Sequence, residues 1–142
     1  VPPVGSVYQA GTLSGNPIAT TAGLNMLDSL DEDFYITLAE KTNSLAEGLE
    51  RLSREHNVPI KVNQVCGMFS IFFTSQTEIN EFQAVADCDV QRYNRFFHYM
   101  LDAGVYFAPS AFESAFVSGA HRDAEIDATL AAASAAFARL KE

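Results

Sequence analysis

Residues 66–74, CGMFSIFFT, decide how this sequence folds. The apolar run 68–73 has the length of a strand and is rich in aromatic residues, which is typical of a strand covered on both faces. Upstream, apolar and polar side chains alternate over residues 58–62, as in a half-buried strand. Because Cys66 and Gly67 leave room only for a tight turn, we predict that the two strands pair in antiparallel fashion.

Apolar residues recur with helical spacing on both sides of this hairpin. The predicted helices begin after Asn16, near Asp31, after Asp89 and at Asp123; the second ends at about His56, and the third ends before Gly104. Asparagine followed by proline is typical of a helix start, and glycine of a helix end. We predict a loop or a short irregular helix for residues 75–88. Residues 105–108 predict a third strand, which Pro109 ends.

This order of elements predicts an α+β fold, in which helices cover a small, mainly antiparallel sheet. The length of 142 residues is close to that of one domain. No apolar run approaches the ~20 residues that a bilayer crossing requires, so we expect a soluble protein without a membrane partner. The first residues contain neither an initiator methionine nor the features of a signal peptide. We therefore expect a cytoplasmic protein of which this chain is a piece.

The charge and the cysteines exclude further classes. Eighteen acidic residues against nine basic ones give a net charge of −9, and the cations are scattered along the chain. A nucleic-acid backbone would be repelled, so no nucleic-acid partner is expected. Cys66 and Cys88 lack the spacing of a metal or redox motif, which predicts idle thiols in a reducing compartment.

The first candidate site is the segment that precedes the first helix. Gly11 and Gly15 let the backbone pass close to a ligand, and Thr12 and Ser14 add hydroxyl groups to the backbone amides there. Such a segment suits an anion such as a phosphate, or it is an ordinary loop that enters a helix. It is not a P-loop, because no lysine follows the second glycine.

The second candidate is Glu113, which lies among apolar neighbours just after the predicted third strand. A desolvated carboxylate there would indicate a functional role, whereas a surface carboxylate beside inward-facing phenylalanines would not. His121 precedes the last helix and is either a proton shuttle or a capping or packing residue. No pair of histidines has the spacing of metal ligands, and none of the lysines (Lys41, Lys61 and Lys141) looks desolvated enough for a Schiff-base nucleophile.

Three stretches carry a resemblance to a known family: VYQAGTLSGNPIATTAGL, CGMFSIFFT and CDVQRYNRFFHYMLDAGVYFAPSAFESAFVSGAH. Together with the closing helix they resemble the C-terminal third of the glutamate-1-semialdehyde 2,1-aminomutases. These are class III aminotransferase enzymes of fold-type I, which use pyridoxal 5′-phosphate (PLP). Gln9, Ala10 and Asn16 stand where the wider class III group has other residues, which looks like the aminomutase version. Arg122 departs from the usual threonine or serine and puts the cap of the last helix in question.

The resemblance implies a function and a set of roles. It implies an isomerase that converts glutamate-1-semialdehyde to 5-aminolevulinate for tetrapyrrole (porphyrin) synthesis, in the cytoplasm or in a plastid stroma. Gly11 and Thr12 would bind the phosphate of the PLP held mainly by the other subunit of a homodimer. Glu113 would lie near the cofactor and hold or polarise the migrating amine. The small-molecule substrate is the only further partner implied.

The same resemblance implies a division of the chain. Residues 1–30 would hold the cofactor-phosphate loop and the start of an interdomain helical segment, and residues 31–142 the small C-terminal α+β domain. The catalytic lysine would precede Val1, so that the isolated chain would be inactive. Two alternatives remain: a piece of another class III aminotransferase, and an interaction module without catalysis.

Overall fold

A computed structural model describes residues 4–6 and 11–140 of the chain. The chain divides after Phe34 into two compact units. The elements are α1 (Pro17–Asp28), α2 (Glu32–Glu55), β1 (Ile60–Val65), β2 (Met68–Phe73), α3 (Phe82–Ala86), α4 (Val90–Asp102), β3 (Ala115–Phe116) and α5 (Asp123–Arg139). The predicted α+β fold is confirmed. Among the described residues, no helix combines the length and the apolar character that crossing a bilayer requires.

The sheet has three antiparallel strands in the order β1-β2-β3. Ile60 pairs with Phe73 and Val65 with Met68, so Cys66 and Gly67 form the predicted turn. A Cβ atom on Gly67 would lie 3.0 Å from the carbonyl oxygen of Val117, whose N–H donates to the Gly67 carbonyl oxygen at 2.8 Å. The turn therefore needs glycine because β3 approaches it closely.

The central strand is buried along one face, through Phe69, Ile71 and Phe73, but on the other face only at Phe72, so the prediction of a strand covered on both faces is confirmed in part. The side chains of Phe69, Ile71, Phe72 and Phe73 are all buried. Phe73 lies 5.4 Å, ring centre to ring centre, from Phe96 of α4, and Phe96 stacks at 5.0 Å on Phe137 of α5. These rings anchor α4 and α5 in the main core of the second unit.

One carboxylate connects α2 to the outer strand. Glu50 Oε1 accepts hydrogen bonds from the backbone N–H of Val62 at 3.0 Å and from Lys61 Nζ at 3.2 Å. The outer strand β1 therefore donates to a helix side chain at Val62, on its unpaired edge.

The helix starts follow the sequence signals. Asn16 Oδ1 accepts from the N–H groups of Ile18 and Ala19, and Asp89 Oδ1 accepts from that of Arg92. At the start of α5, Glu125 Oε2 accepts from the backbone N–H of Arg122 at 2.8 Å. The carboxylate three residues into the helix thus supplies one of the two bonds of a capping box; the other, from a threonine or serine oxygen at the N-cap, has no counterpart in Arg122.

The prediction of a third strand at residues 105–108 is wrong. The N–H of Val105 donates to the Met100 carbonyl oxygen at 2.9 Å, and the Ala108 carbonyl oxygen accepts from the Tyr93 hydroxyl at 2.6 Å. These backbone groups bond to α4 instead of to a strand. The third strand is instead the two-residue β3, which pairs with Met68 and Phe69 of β2.

Candidate functional site

In the first unit, residues 11–16 form a tight turn that leads into α1. The N–H of Ser14 donates to the Gly11 carbonyl oxygen at 3.0 Å, and that of Asn16 to the Leu13 carbonyl oxygen at 3.0 Å. Gly15 has a φ of 74°, a left-handed conformation that favours glycine. A Cβ atom on Gly11 would collide with Ser14 Oγ, so the turn also requires glycine at position 11.

Two donors of this turn, both from Thr12, bind no other group among the described residues. None of the hydrogen bonds among the described residues involves the hydroxyl or the backbone N–H of Thr12. In the first turn of α1, the backbone N–H groups of Ile18 and Ala19 already donate to Asn16 Oδ1. An anion would therefore be bound by the turn itself, through Thr12, and not by the helix start. Such a donor set fits a phosphate group. Gln9 and Ala10 lie outside the described residues.

The helix that follows the turn buries none of its side chains. Ile18 is 81% exposed and Leu27 66% exposed, and Leu24 and Met26 are exposed as well. Four exposed apolar side chains on one short helix indicate a surface that another molecule or chain segment covers.

In the second unit, a cleft of about 600 Å³ opens beside β3. Three segments form its wall: residues 104–109 after α4, residues 113–117 with β3, and the first turns of α5. Four aromatic side chains line it: Phe69, Tyr106, Phe107 and Phe116. Tyr106 and Phe116 are exposed, which leaves aromatic surface open at its wall.

Glu113 lines this cleft and is exposed. The Glu113 carboxylate is therefore not desolvated in this structure, contrary to the expectation, and the neighbouring Phe112 and Phe116 are exposed rather than turned inward. The N–H of Glu113 donates to the Ser110 carbonyl oxygen at 3.1 Å, and Ser114 Oγ lies 3.1 Å from Ser70 Oγ of β2. These bonds fix the backbone that carries Glu113 in the cleft wall. Whether it acts in catalysis stays a prediction.

Tyr93 of α4 supports the cleft wall, and its sequence pattern did not single it out. The side chain is buried, and its hydroxyl donates to the Ala108 carbonyl oxygen in the cleft wall. Burial, and secondarily the charge of Glu113, raise the pKa of Tyr93 to about 12. Tyr93 therefore keeps its proton and anchors the wall rather than exchanging protons. Tyr93 and Ala108 lie 15 residues apart in the sequence, so no local pattern signals this contact.

His121 and Glu125 also line the cleft, and each is bound by a neighbouring residue. His121 Nδ1 accepts from the backbone N–H of Ser118 at 3.0 Å, which fixes the ring as part of the turn before α5. A hydrogen bond from the Arg122 side chain is the main reason that the pKa of Glu125 falls to about 2. The guanidinium and carboxylate lie 2.7 Å apart.

The described lysines have partners in the fold. Lys41 Nζ donates to the His121 carbonyl oxygen at 2.8 Å, and Lys61 Nζ lies 3.2 Å from Glu50 Oε1. Lys141 lies outside the described residues. Within the part of the chain that the structure describes, no group of histidine, cysteine and acidic side chains could hold a metal ion.

Gly11 and Thr12 belong to the first unit and Glu113 to the second. The two parts of the predicted site are therefore each defined by themselves: a donor turn, and an aromatic cleft that carries a carboxylate. Their joint role in binding a cofactor stays a prediction.

No family model matches this sequence. Its fold, however, is similar to that of solved transaminases. An ω-transaminase from Sphaerobacter thermophilus matches with a TM-score of 0.76 and 22% identity, over 96% of this chain and 31% of that one. The FumI protein of Sphingopyxis sp. MTA144, solved in its PLP internal aldimine form, matches with a TM-score of 0.74 and 24% identity, over 96% and 30%.

A β-phenylalanine aminotransferase from Variovorax paradoxus matches over 70% of this chain and 22% of its own, with a TM-score of 0.60 and 23% identity. The chain thus spans less than a third of each of these structures. At these identities the likeness establishes the fold: this chain folds as a portion of a PLP-dependent transaminase does.

Proposed function

We propose that this chain is part of a PLP-dependent enzyme of the class III aminotransferase group, and specifically of a glutamate-1-semialdehyde 2,1-aminomutase. The enzyme would convert glutamate-1-semialdehyde to 5-aminolevulinate in the cytoplasm or a plastid stroma. The fold likeness to transaminases supports the coarser part of this proposal. The resemblance of residues 7–24, 66–74 and 88–121 to the aminomutases supports the finer part.

The observation that carries the proposal is the donor turn at residues 11–16. Thr12 offers a hydroxyl and a backbone N–H that bind no other described group, on a backbone fixed by the Ser14 and Asn16 hydrogen bonds. Hydrogen bonds to a charged acceptor are about twice as strong as neutral ones, so a phosphate is the ligand this turn suits best. We propose that the phosphate belongs to PLP held mainly by the second subunit of a homodimer.

The bound PLP would supply the electron sink, and the protein would supply position and proton control. Glu113 would accept a hydrogen bond from the substrate's amine at the cleft wall. Because Lys41 and Lys61 are bound elsewhere, we propose that the catalytic lysine is not among the described residues and that residues 1–142 alone have no activity.

The test uses the full-length product of the gene that encodes this chain. We expect it to bind PLP, to show the visible absorbance of lysine-bound PLP, and to form 5-aminolevulinate from glutamate-1-semialdehyde. A product that holds PLP but forms no 5-aminolevulinate would contradict the aminomutase assignment. A product that binds no PLP would contradict the whole proposal.

The role of the turn has its own test in the same protein. Thr12→Val should weaken PLP retention by about 1.5–3 kcal/mol, because it removes a hydrogen bond to a charged group. Thr21→Val is the matched control, since this exposed threonine of α1 makes the same change in shape away from the turn. Equal PLP retention in the two variants would show that the Thr12 hydroxyl does not contact the phosphate.

A second candidate is an aminotransferase that acts between two substrates. The solved structures that share this fold are transaminases, which favours this alternative. Net amino transfer from an external amine to a keto acid, faster than 5-aminolevulinate formation, would establish it.

A further inference from the structure

The hairpin pocket, of about 610 Å³, lies between the end of α2, the start of β1 and residues 74–77 after β2. Its volume falls within the range of small-molecule sites in proteins. None of its lining residues belongs to the donor turn or lines the cleft beside β3. The proposed function therefore assigns no role to this pocket, although polar side chains make up most of its wall.

The charged side chains of the hairpin pocket are two cations and one carboxylate, namely Arg54, Lys61 and Glu50. Glu50 Oε1 accepts from Lys61 Nζ at 3.2 Å and from the Val62 N–H at 3.0 Å, so this lysine is paired. Arg54 Nη1 lies 3.8 Å from Glu50 Oε2, which is too far for a hydrogen bond, and the arginine side chain is 70% exposed. Two positive charges against one negative charge leave this wall cationic, and the Arg54 guanidinium is available to a ligand.

Uncharged donors line the same pocket. The side chains of Asn57, Ser75 and Thr77 are exposed, and none of the hydrogen bonds among the described residues involves them. The end of a helix carries partial negative charge, which disfavours an anion. Here, however, the carbonyl oxygens of residues 52–54 already accept the N–H groups of residues 56–58 at 2.9–3.1 Å. These carbonyl oxygens are therefore bonded within the chain, whereas the side-chain donors remain available.

We propose that the hairpin pocket binds the phosphate group of a small phosphorylated metabolite, with Arg54 pairing with its oxygens and the hydroxyls of Ser75 and Thr77 donating to it. A guanidinium presents a planar pair of donors that matches two oxygens of a phosphate. The pocket is larger than a phosphate group, so the rest of its volume accommodates the carbon part of the ester. This inference goes beyond the proposed function and does not depend on it.

The test compares a phosphate ester with the same molecule without its phosphate. The 142-residue chain, labelled with ¹⁵N, is titrated with glycerol 3-phosphate and with glycerol at neutral pH and at low salt, since salt screens exposed charges. We expect the ester to shift amide signals within residues 54–61 and 74–77 in a saturable manner, and glycerol to leave them unchanged. The absence of saturable shifts in these segments, or equal shifts with glycerol, would overturn the proposal.

Two arginine variants assign the binding to Arg54. Arg54→Gln should lower the affinity for glycerol 3-phosphate about three- to tenfold, as expected for the loss of an exposed charged contact. Arg51→Gln is the matched control, because this exposed arginine of the same helix does not line the pocket and lies 2.7 Å from Glu55 Oε1. It should leave the affinity unchanged. Equal losses in the two variants would show a general attraction to the positive charges of α2 and would overturn the proposal.

The hydroxyl groups have a test of their own. The double variant Ser75→Ala, Thr77→Val should lower the affinity about threefold or more, because hydrogen bonds to a charged group are lost. An unchanged affinity would contradict the role assigned to these hydroxyls. In the same spectra, the amide signal of Thr12 reports on the donor turn, so phosphate bound there is not mistaken for phosphate in the hairpin pocket.

Discussion

Helices α1 and α4 have similar lengths but opposite surroundings. Helix α4 buries Tyr93, Phe96, Phe97 and Met100, whereas no residue of α1 is buried. Isolated helices of about a dozen residues are marginal in water, and most helical stability in proteins comes from packing. The second unit therefore has its own core, whereas the apolar side chains of α1 need a partner to bury them. We propose that the other parts of the full-length homodimer supply it.

The largest expected difference comes from shortening one apolar side chain in each region. Phe137→Ala should destabilise the second unit by about 3–5 kcal/mol, because this fully buried ring stacks on Phe96 and leaves a cavity. Leu27→Ala in α1 should change the free energy of unfolding by less than about 0.5 kcal/mol. Urea unfolding of the two variants measures both values. A comparable loss of unfolding free energy in the two variants would contradict the difference between α1 and the second unit.

A second prediction concerns alkaline pH and the wall of the cleft. The folded chain raises the pKa of Tyr93 to about 12 from its ordinary value of 10, so the unfolded chain releases this proton first. The stabilisation is complete below pH 10 and falls by on the order of 2 kcal/mol as the pH rises to 12. Unfolding measured from pH 9 to 12 tests this.

Two tyrosine variants test whether Tyr93 causes this loss of stability with rising pH. Tyr93→Phe should lose it and should also be less stable at pH 9, because the Ala108 carbonyl oxygen loses its donor. Tyr106→Phe removes an exposed hydroxyl of the same cleft and should keep the slope. A slope that persists in Tyr93→Phe would show that another group titrates.

The third prediction makes the same small change in both regions. Gly67→Ala should destabilise by about 1–2 kcal/mol, because the new Cβ would press on Leu38 and on the Val117 carbonyl oxygen. Gly23→Ala in α1 meets nothing within 4 Å and should raise helix content, since alanine favours helices over glycine by up to about 1 kcal/mol. Thermal unfolding measures the loss of stability in Gly67→Ala, and circular dichroism measures the gain of helix in Gly23→Ala. Destabilisation by both substitutions would contradict the difference between the two regions.

The smallest expected effect concerns the two helix starts. The pKa of Glu125 is lowered to about 2, so its contribution is present above pH 4.5 and is lost as the pH falls towards 2. Glu125→Gln should lower the thermal midpoint at pH 7 and flatten this acid slope. Asn16→Ala should fray only α1, which contributes no buried side chain, and should leave the midpoint of the second unit unchanged. Equal shifts in midpoint would mean that α1 unfolds together with the core.

The sequence predicted the hairpin and the helix starts because their signals are local. The turn at Cys66 and Gly67, the caps at Asn16 and Asp89, and Gly104 with its φ of 84° each depend on a few neighbouring residues. The third strand was misplaced because Val105 donates to Met100 at the end of α4 and Ala108 accepts from Tyr93, fifteen residues earlier; the apolar pattern shows neither bond.

The candidate site likewise has one part with a local sequence signal and one part that depends on the fold. The turn with Gly11 and Thr12 could be recognised from its residues alone. The exposure of Glu113 and the part that Tyr93 plays in the cleft could not, because both depend on which side chains the fold brings together. The neighbours of Glu113 are apolar in sequence, yet several of them are themselves exposed.

The bond between Glu50 and the outer strand has a consequence for how the molecule behaves at high concentration. A strand from another copy that added itself beside β1 would need the Val62 N–H, which Glu50 Oε1 already accepts at 3.0 Å. Unpaired strand edges are the usual starting points of intermolecular sheets and fibrils. The acidic side chain of α2 thus occupies one donor that an added strand would need, which disfavours the addition of a strand at Val62.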